Sequence, residues 1–190
     1  MYASPAKQTM KGMNMKKLTG KRILMFVDNV YEDLELWYPK LRLIEEGAEV
    51  VVAGPEGGKV YNGKNGYPCK SDVSYNEVEE KDFDGLVIPG GFAPDKLRRV
   101  AKVLELTKQF NDSKKLVAHI CHAGWITISA KIMKGYKCTS TPGIKDDIEN
   151  AGATWIDEPV VIDRNMVSSR KPDDLPMFCM GILEVLKNND

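Results

Sequence analysis

The chain has 190 residues, enough for one domain whose core needs no disulfide or metal staple. Apolar residues make up 43% and charged residues 28%, with 27 basic side chains balancing 27 acidic ones. That balance excludes the basic excess of a nucleic-acid binder and the acidic excess of a disordered chain. No apolar run approaches the roughly 18 residues of a membrane span, so no membrane partner is expected either.

Cys69, Cys121, Cys138 and Cys179 lie far apart with no C-x-x-C pair, which fits a reducing, cytoplasmic setting. Residues 1–20 are rich in Lys and Met but lack the apolar core of a secretory signal. They read as a flexible leader to a single domain over 21–190.

From residue 22 onward, short β-branched runs alternate with helical patterns. Residues 22–28 (RILMFVD) form a near-continuous apolar run, the signature of a strand buried on both faces. Residues 32–46 follow as a helix, with Leu34, Trp37, Leu41 and Ile44 on one face and Gly47 closing it. Residues 48–53 (AEVVVA) are the next strand. Residues 54–78, with five glycines and two prolines, read as a loop or hairpin excursion off the sheet. Strand 84–89 runs into Gly90 and Gly91, helix 94–111 follows, and strand 115–120 runs straight into Cys121. A helix over 124–133, a short strand over 137–140, a helix over 144–150, a hairpin around Asp163, Arg164 and Asn165, and a helix over 173–187 complete the chain. The pattern predicts an α/β fold: a flavodoxin-like three-layer sandwich with a mostly parallel sheet.

Both histidines of the chain, His119 and His122, flank Cys121 in AHICHAGW. Strand, then Cys, then helix is the layout of a nucleophile elbow, where a strained turn lifts a nucleophile above the C-terminal edge of a sheet. The helix start that follows should lower the thiol pKa and offer amides to an oxyanion. Strand alternation places His119 with the packed strand residues, leaving His122 as the candidate base. Gly90 and Gly91 end a buried strand at the same edge, where their amides and that of His122 could form the oxyanion hole. Glu32 and Asp33 begin a helix at that edge, and either carboxyl could serve the thiol. Residues 58–65 (GKVYNGKN) nearly spell a phosphate-binding loop. Asn65 stands where a hydroxyl is needed and Gly66 and Pro68 replace the helix, so a nucleotide is not expected. Nor is a metal: three ligands in four residues rarely converge on one tetrahedral ion.

Five stretches carry a family resemblance: residues 31–39 (YEDLELWYP), 87–91 (VIPGG) with Ala93 and Pro94, 120–122 (ICH), 142–152 (PGIKDDIENAG) and 167–175 (VSSRKPDDL). In this order the chain resembles the PfpI-type intracellular proteases of the ThiJ/PfpI superfamily, which share the glutamine-amidotransferase-like fold. The resemblance implies a nucleophilic Cys121 with His122 beside it, and it chooses Glu32 as the carboxyl facing the thiol. It also implies an orienting acid from a neighbouring subunit, at the position of Asp95, and hence a dimer or hexamer. Ala123 stands where the family has Gly, Asp95 where it has the longer Glu, and His119 is unusual in its strand.

The expected function is a cofactor-free cysteine hydrolase acting on a peptide or amide, or on methylglyoxal and its protein adducts as glyoxalase or deglycase. The alternative is a redox-sensing or chaperone-like stress protein that uses the same cysteine. An amidotransferase subunit would need a histidine late in the chain, and none follows His122.

Overall fold

The computed structural model describes residues 17–188. In chain order the strands are β1 (Arg22–Phe26), β2 (Glu49–Gly54), β3 (Val60–Asn62), β4 (Pro68–Lys70), β5 (Val73–Ser74), β6 (Gly85–Ile88), β7 (Leu116–Ile120), β8 (Lys137–Cys138), β9 (Thr154–Trp155), β10 (Val160–Asp163) and β11 (Met166–Ser169). The helices are α1 (Asp33–Glu45), α2 (Ala93–Leu97), α3 (Ala101–Asp112), α4 (Gly124–Ser129), α5 (Lys145–Asn150) and α6 (Leu175–Asn188).

Seven strands form the main sheet in the order β10-β11-β7-β6-β1-β2-β5. All its pairings are parallel except β10 with β11 at one edge. Every residue of β6 and β7 is buried, His119 among them, as expected for strands covered on both faces. Helix α6 packs on β7, β10 and β11 and touches α1, while α3 packs on β6 and β7 and against α4, giving the three layers. The order β2-β1-β6-β7-β11 is that of the flavodoxin-like sheet, and the chain reverses direction across it between β1 and β6. Open α/β sheets place their ligands at the carboxyl end of such a switch point.

Four expectations need correction. Leu34, Leu41 and Ile44 on α1 are exposed, and the helix instead buries Leu36, Pro39 and Leu43. Both faces carry apolar residues, so periodicity selects the wrong one. The helix expected over 94–111 is two helices: Val100 is extended and breaks the run between α2 and α3. Helix α4 stops at Ser129, where the chain turns through Lys131 at φ 60°. The expected leader ends too late, because Leu18 is buried in the core and its N–H donates to the Glu46 carbonyl at 2.9 Å. Residues 1–16 lie outside the described residues. The excursion after β2 is indeed a hairpin, β3–β4, followed by β5 at the sheet edge. Among the described residues, no helix is long and apolar enough to cross a membrane.

Candidate active site

Three neighbouring strand ends build the site: the turn after β1, the Gly90-Gly91 turn after β6, and Cys121 after β7. Cys121 adopts φ 60°, the left-handed region that non-glycine residues enter at a cost of about 1 kcal/mol or more, and opens a single 3-10 turn into α4. The turn brings His122 Nδ1 to 3.3 Å from Cys121 Sγ, so adjacent residues form a dyad. Burial and the Lys64 cation hold the His122 ring below the usual histidine range, leaving it neutral and able to accept a proton at pH 7.

The carboxyl at the thiol belongs to Glu35 and not to Glu32. Glu35 is fully buried, its Oε2 accepts the Gly90 N–H at 2.8 Å, and its Oε1 has no hydrogen-bond partner among the described residues. A Cβ built on Gly90 would lie 2.5 Å from Glu35 Oε2 and 2.7 Å from Cys121 Cβ, which places the carboxyl and the thiol on either side of this glycine. Burial, reinforced by Glu32, pushes Glu35 up to about 8 against the opposing pull of the Gly90 amide, Lys64 and Cys121. At neutral pH it is therefore mostly a neutral acid. Glu32 sits one step outward: its N–H donates to the Gly90 carbonyl at 3.1 Å and its buried carboxylate pairs with Lys64. The resemblance pointed to the first acid of YEDLE, but helix α1 turns the third inward. Glu35, Pro39 and Leu43 recur at four-residue spacing on the face α1 buries, and a carboxyl in that row was the available signal.

The expected lowering of the thiol pKa does not hold. Burial first, and then Glu35, push Cys121 up to about 12, outweighing the amides of His122 and Gly91 and the Lys64 cation. Those same two amides are directed at the sulfur. Gly90 does not belong to that pair, because its N–H is taken by Glu35. What it supplies is the absence of a side chain. Gly91, at φ 78°, could not carry a Cβ either: the atom would lie 2.4 Å from the Glu32 nitrogen.

Asp95 stands apart from the dyad in a single chain. It lies half-buried on α2, binds Arg99 Nη2 at 2.9 and 2.7 Å, and makes no hydrogen bond to His122 among the described residues. His119 is fully buried with neither ring nitrogen partnered among the described residues, in keeping with a packed strand position. Cys69, Cys138 and Cys179 are free and buried. Among the described residues, no three Cys, His, Asp or Glu side chains gather as metal ligands.

A mostly parallel sheet in which an inner strand ends in a left-handed cysteine, with histidine beside it and a buried glutamic acid across a glycine turn, defines an α/β sandwich with a thiol elbow. Residues 21–185 match the DJ-1/PfpI family, and the chain belongs to it. It is 47% identical to "Deglycase PfpI" of Pyrococcus furiosus, covering 87% of this chain and 99% of that protein. It is 40% identical to "Putative cysteine protease YraA" of Bacillus subtilis, over 88% of this chain and 99% of that one. Among solved structures, Drosophila melanogaster DJ-1beta is similar with a TM-score of 0.80 and 26% identity, over 89% of this chain and 95% of that chain. A two-domain protein of Anabaena variabilis, with DJ-1/ThiJ/PfpI-like and ferritin-like domains, gives 0.85 and 36% over 86% of this chain, which spans 47% of that protein.

Proposed function

We propose that the protein is a cysteine-dependent hydrolase of small carbonyl compounds, acting on methylglyoxal or its protein adducts. The observation that carries this reading is the unpartnered oxygen of the fully buried Glu35 carboxyl across Gly90 from a thiol that has His122 Nδ1 3.3 Å away. Attack of Cys121 Sγ on an aldehyde carbon forms the S–C bond while the thiol proton passes to His122. The amides of Gly91 and His122 hold the developing oxyanion, and Glu35 delivers its proton to it. The Glu35 carboxylate so formed removes the former aldehyde C–H proton and returns it at the adjacent carbon, while the hydroxyl proton passes from the first oxygen to the neighbouring ketone oxygen. The product is a thioester of a 2-hydroxy acid. Water cleaves it, and His122 returns its proton to the sulfur. Acid–base groups of this kind contribute about a hundredfold or more each.

Amide or peptide hydrolysis uses the same dyad and oxyanion hole, and the resemblance to a putative cysteine protease supports it as the second reading. A redox sensor would work best with an exposed, ionised thiol, and a half-buried thiol pushed up to about 12 is poorly suited to that role. Self-association belongs to the proposal. The exposed stripe of Leu34, Tyr38, Leu41 and Ile44 on α1 is the apolar face a second copy would cover, and Asp95 would serve the dyad across subunits. Four unpaired cysteines suit a reducing, cytoplasmic compartment.

The test is lactate formed from methylglyoxal by the purified protein beside Cys121→Ala. Turnover confined to the wild type supports aldehyde chemistry. Turnover in neither, with amide cleavage lost in Cys121→Ala, supports the second reading instead.

A further inference from the structure

The Gly63-Lys64 step of the near phosphate loop, dismissed as a nucleotide motif, reappears at the tip of the β3–β4 hairpin beside the thiol. Lys64 pairs with the buried Glu32 carboxylate, and its own N–H donates to the Tyr31 carbonyl at 2.8 Å. The tip is fastened by Asp33, whose carboxylate accepts the backbone N–H groups of Asn65 and Tyr67, both at 2.9 Å, and the Asn65 side-chain amide at 3.1 Å. The Asp33 carboxylate fills the space where a side chain on Gly63 would go, a would-be Cβ there lying 2.3 Å from Oδ1. Tyr31 bridges Gly63 on one side and Gly91 on the other, so hairpin, β1 turn and oxyanion turn are one connected unit.

We propose that Lys64 is a positioning residue for the thiol chemistry, a cation held at the dyad by Asp33 that favours the ionised sulfur. This inference rests on Cys121 being the nucleophile. The charged and titratable groups facing Cys121 are Glu35 from the start of α1, Lys64 from the hairpin, and His122 from its own turn, with Glu32 behind Lys64 and Glu35. Lys64 is the cation that bears on Cys121, Glu35 and His122 alike. Glu32 keeps it from extending into solvent, and Asp33 keeps its backbone in place. The two acids that open α1 thus act through Lys64, while the third, Glu35, meets the thiol directly.

Removing the cation takes away the positive charge that favours the thiolate and leaves the Glu32 carboxylate without its partner. The test is the rate of iodoacetamide alkylation as a function of pH, with Cys121→Ser measuring the reaction of the three buried cysteines. Lys64→Met should move the Cys121 alkylation midpoint upward and slow the reaction at pH 8 by about threefold or more. Lys64→Arg should restore it. Asp33→Asn should move the profile in the same direction by less, since it loosens the tip without removing the charge. Lys64 is half-exposed, so these variants should retain the fold, which circular dichroism checks. An unmoved profile in Lys64→Met would overturn the inference. If wild type and Cys121→Ser are alkylated alike, Cys121 is not a reactive thiol and the nucleophile reading itself fails.

Discussion

Gly90 donates its amide to the buried Glu35 carboxyl at 2.8 Å, and this bond decides which of the site's groups do what. It engages the Gly90 N–H, leaves the other Glu35 oxygen free, and ties helix α1 to the end of β6. Glu35→Gln keeps the shape and can still accept the Gly90 N–H, but it can neither give nor take the proton. Turnover should fall by about a hundredfold or more. Glu32→Gln should cost far less, because that acid reaches the thiol only through Lys64. Equal losses in the two variants would refute the assignment.

The same carboxyl carries a stability cost with a definite sign. Its folded pKa of about 8 lies above the ordinary value of 4.5, so its contribution is fully present below pH 4.5 and is lost as pH rises through 8. Glu35→Gln should therefore be more stable than wild type at pH 8, by on the order of a few kcal/mol, with the two converging near pH 4.5. Urea unfolding at both pH values measures it. A variant less stable than wild type at pH 8 would show that the carboxyl is held ionised.

Gly91→Ala should be more damaging than any charge change at the rim. The new Cβ would lie 2.4 Å from the Glu32 nitrogen and 2.7 Å from the Val30 carbonyl, in a backbone conformation that already disfavours side chains. Val30 itself sits at φ 69°, so this turn has little room to relax. We expect a loss of about 1–3 kcal/mol in denaturant unfolding together with loss of turnover. Gly143→Ala, where a Cβ meets nothing within 4 Å, is the control.

The elements that depend on local pattern were legible in the sequence: the buried strands, the hairpin around Arg164, and the placing of Cys121 at a strand end. The closeness of His122 to Cys121 was legible too, because adjacency along the chain brings it there. What escaped depends on which way a helix faces and on distant segments meeting. Helix α1 is apolar on two sides, so its sequence hid that Glu35 points inward while Leu34 and Leu41 point out. Lys64 lies 57 positions before Cys121 in a stretch without periodicity, and only the sheet order and the Asp33 clamp bring it to the site. The thiol's raised pKa was missed because the sequence showed the helix start but not the burial that outweighs it.

The dyad predicts an asymmetric pair of variants. Cys121→Ala should abolish turnover, whereas His122→Ala should reduce kcat by about 100- to 10,000-fold while leaving a thiol that alkylates at high pH. His122 stacks 5.1 Å from Trp125, whose indole N–H donates to Asp147 at 2.8 Å, so Trp125→Phe should mildly slow turnover by loosening the ring. Full activity in His122→Ala would rule out the dyad.

His119 sets the acid limit of the fold. It is wholly buried, neither ring nitrogen has a partner among the described residues, and burial holds its pKa down to about 4. An unfolded chain takes up that proton below about pH 6.5, while the folded protein refuses it until about pH 4. Above pH 6.5 both states are neutral and His119 contributes nothing to the pH dependence. Stability should then be lost progressively as pH falls, by about 3 kcal/mol from this residue once pH 4 is reached. His119→Leu removes both the titration and the two unpartnered nitrogens, and it should flatten the urea-unfolding profile between pH 6.5 and 4 without lowering stability at pH 7. If wild type and variant lose stability in parallel on acidification, the proton uptake lies elsewhere and His119 is solvated in the fold.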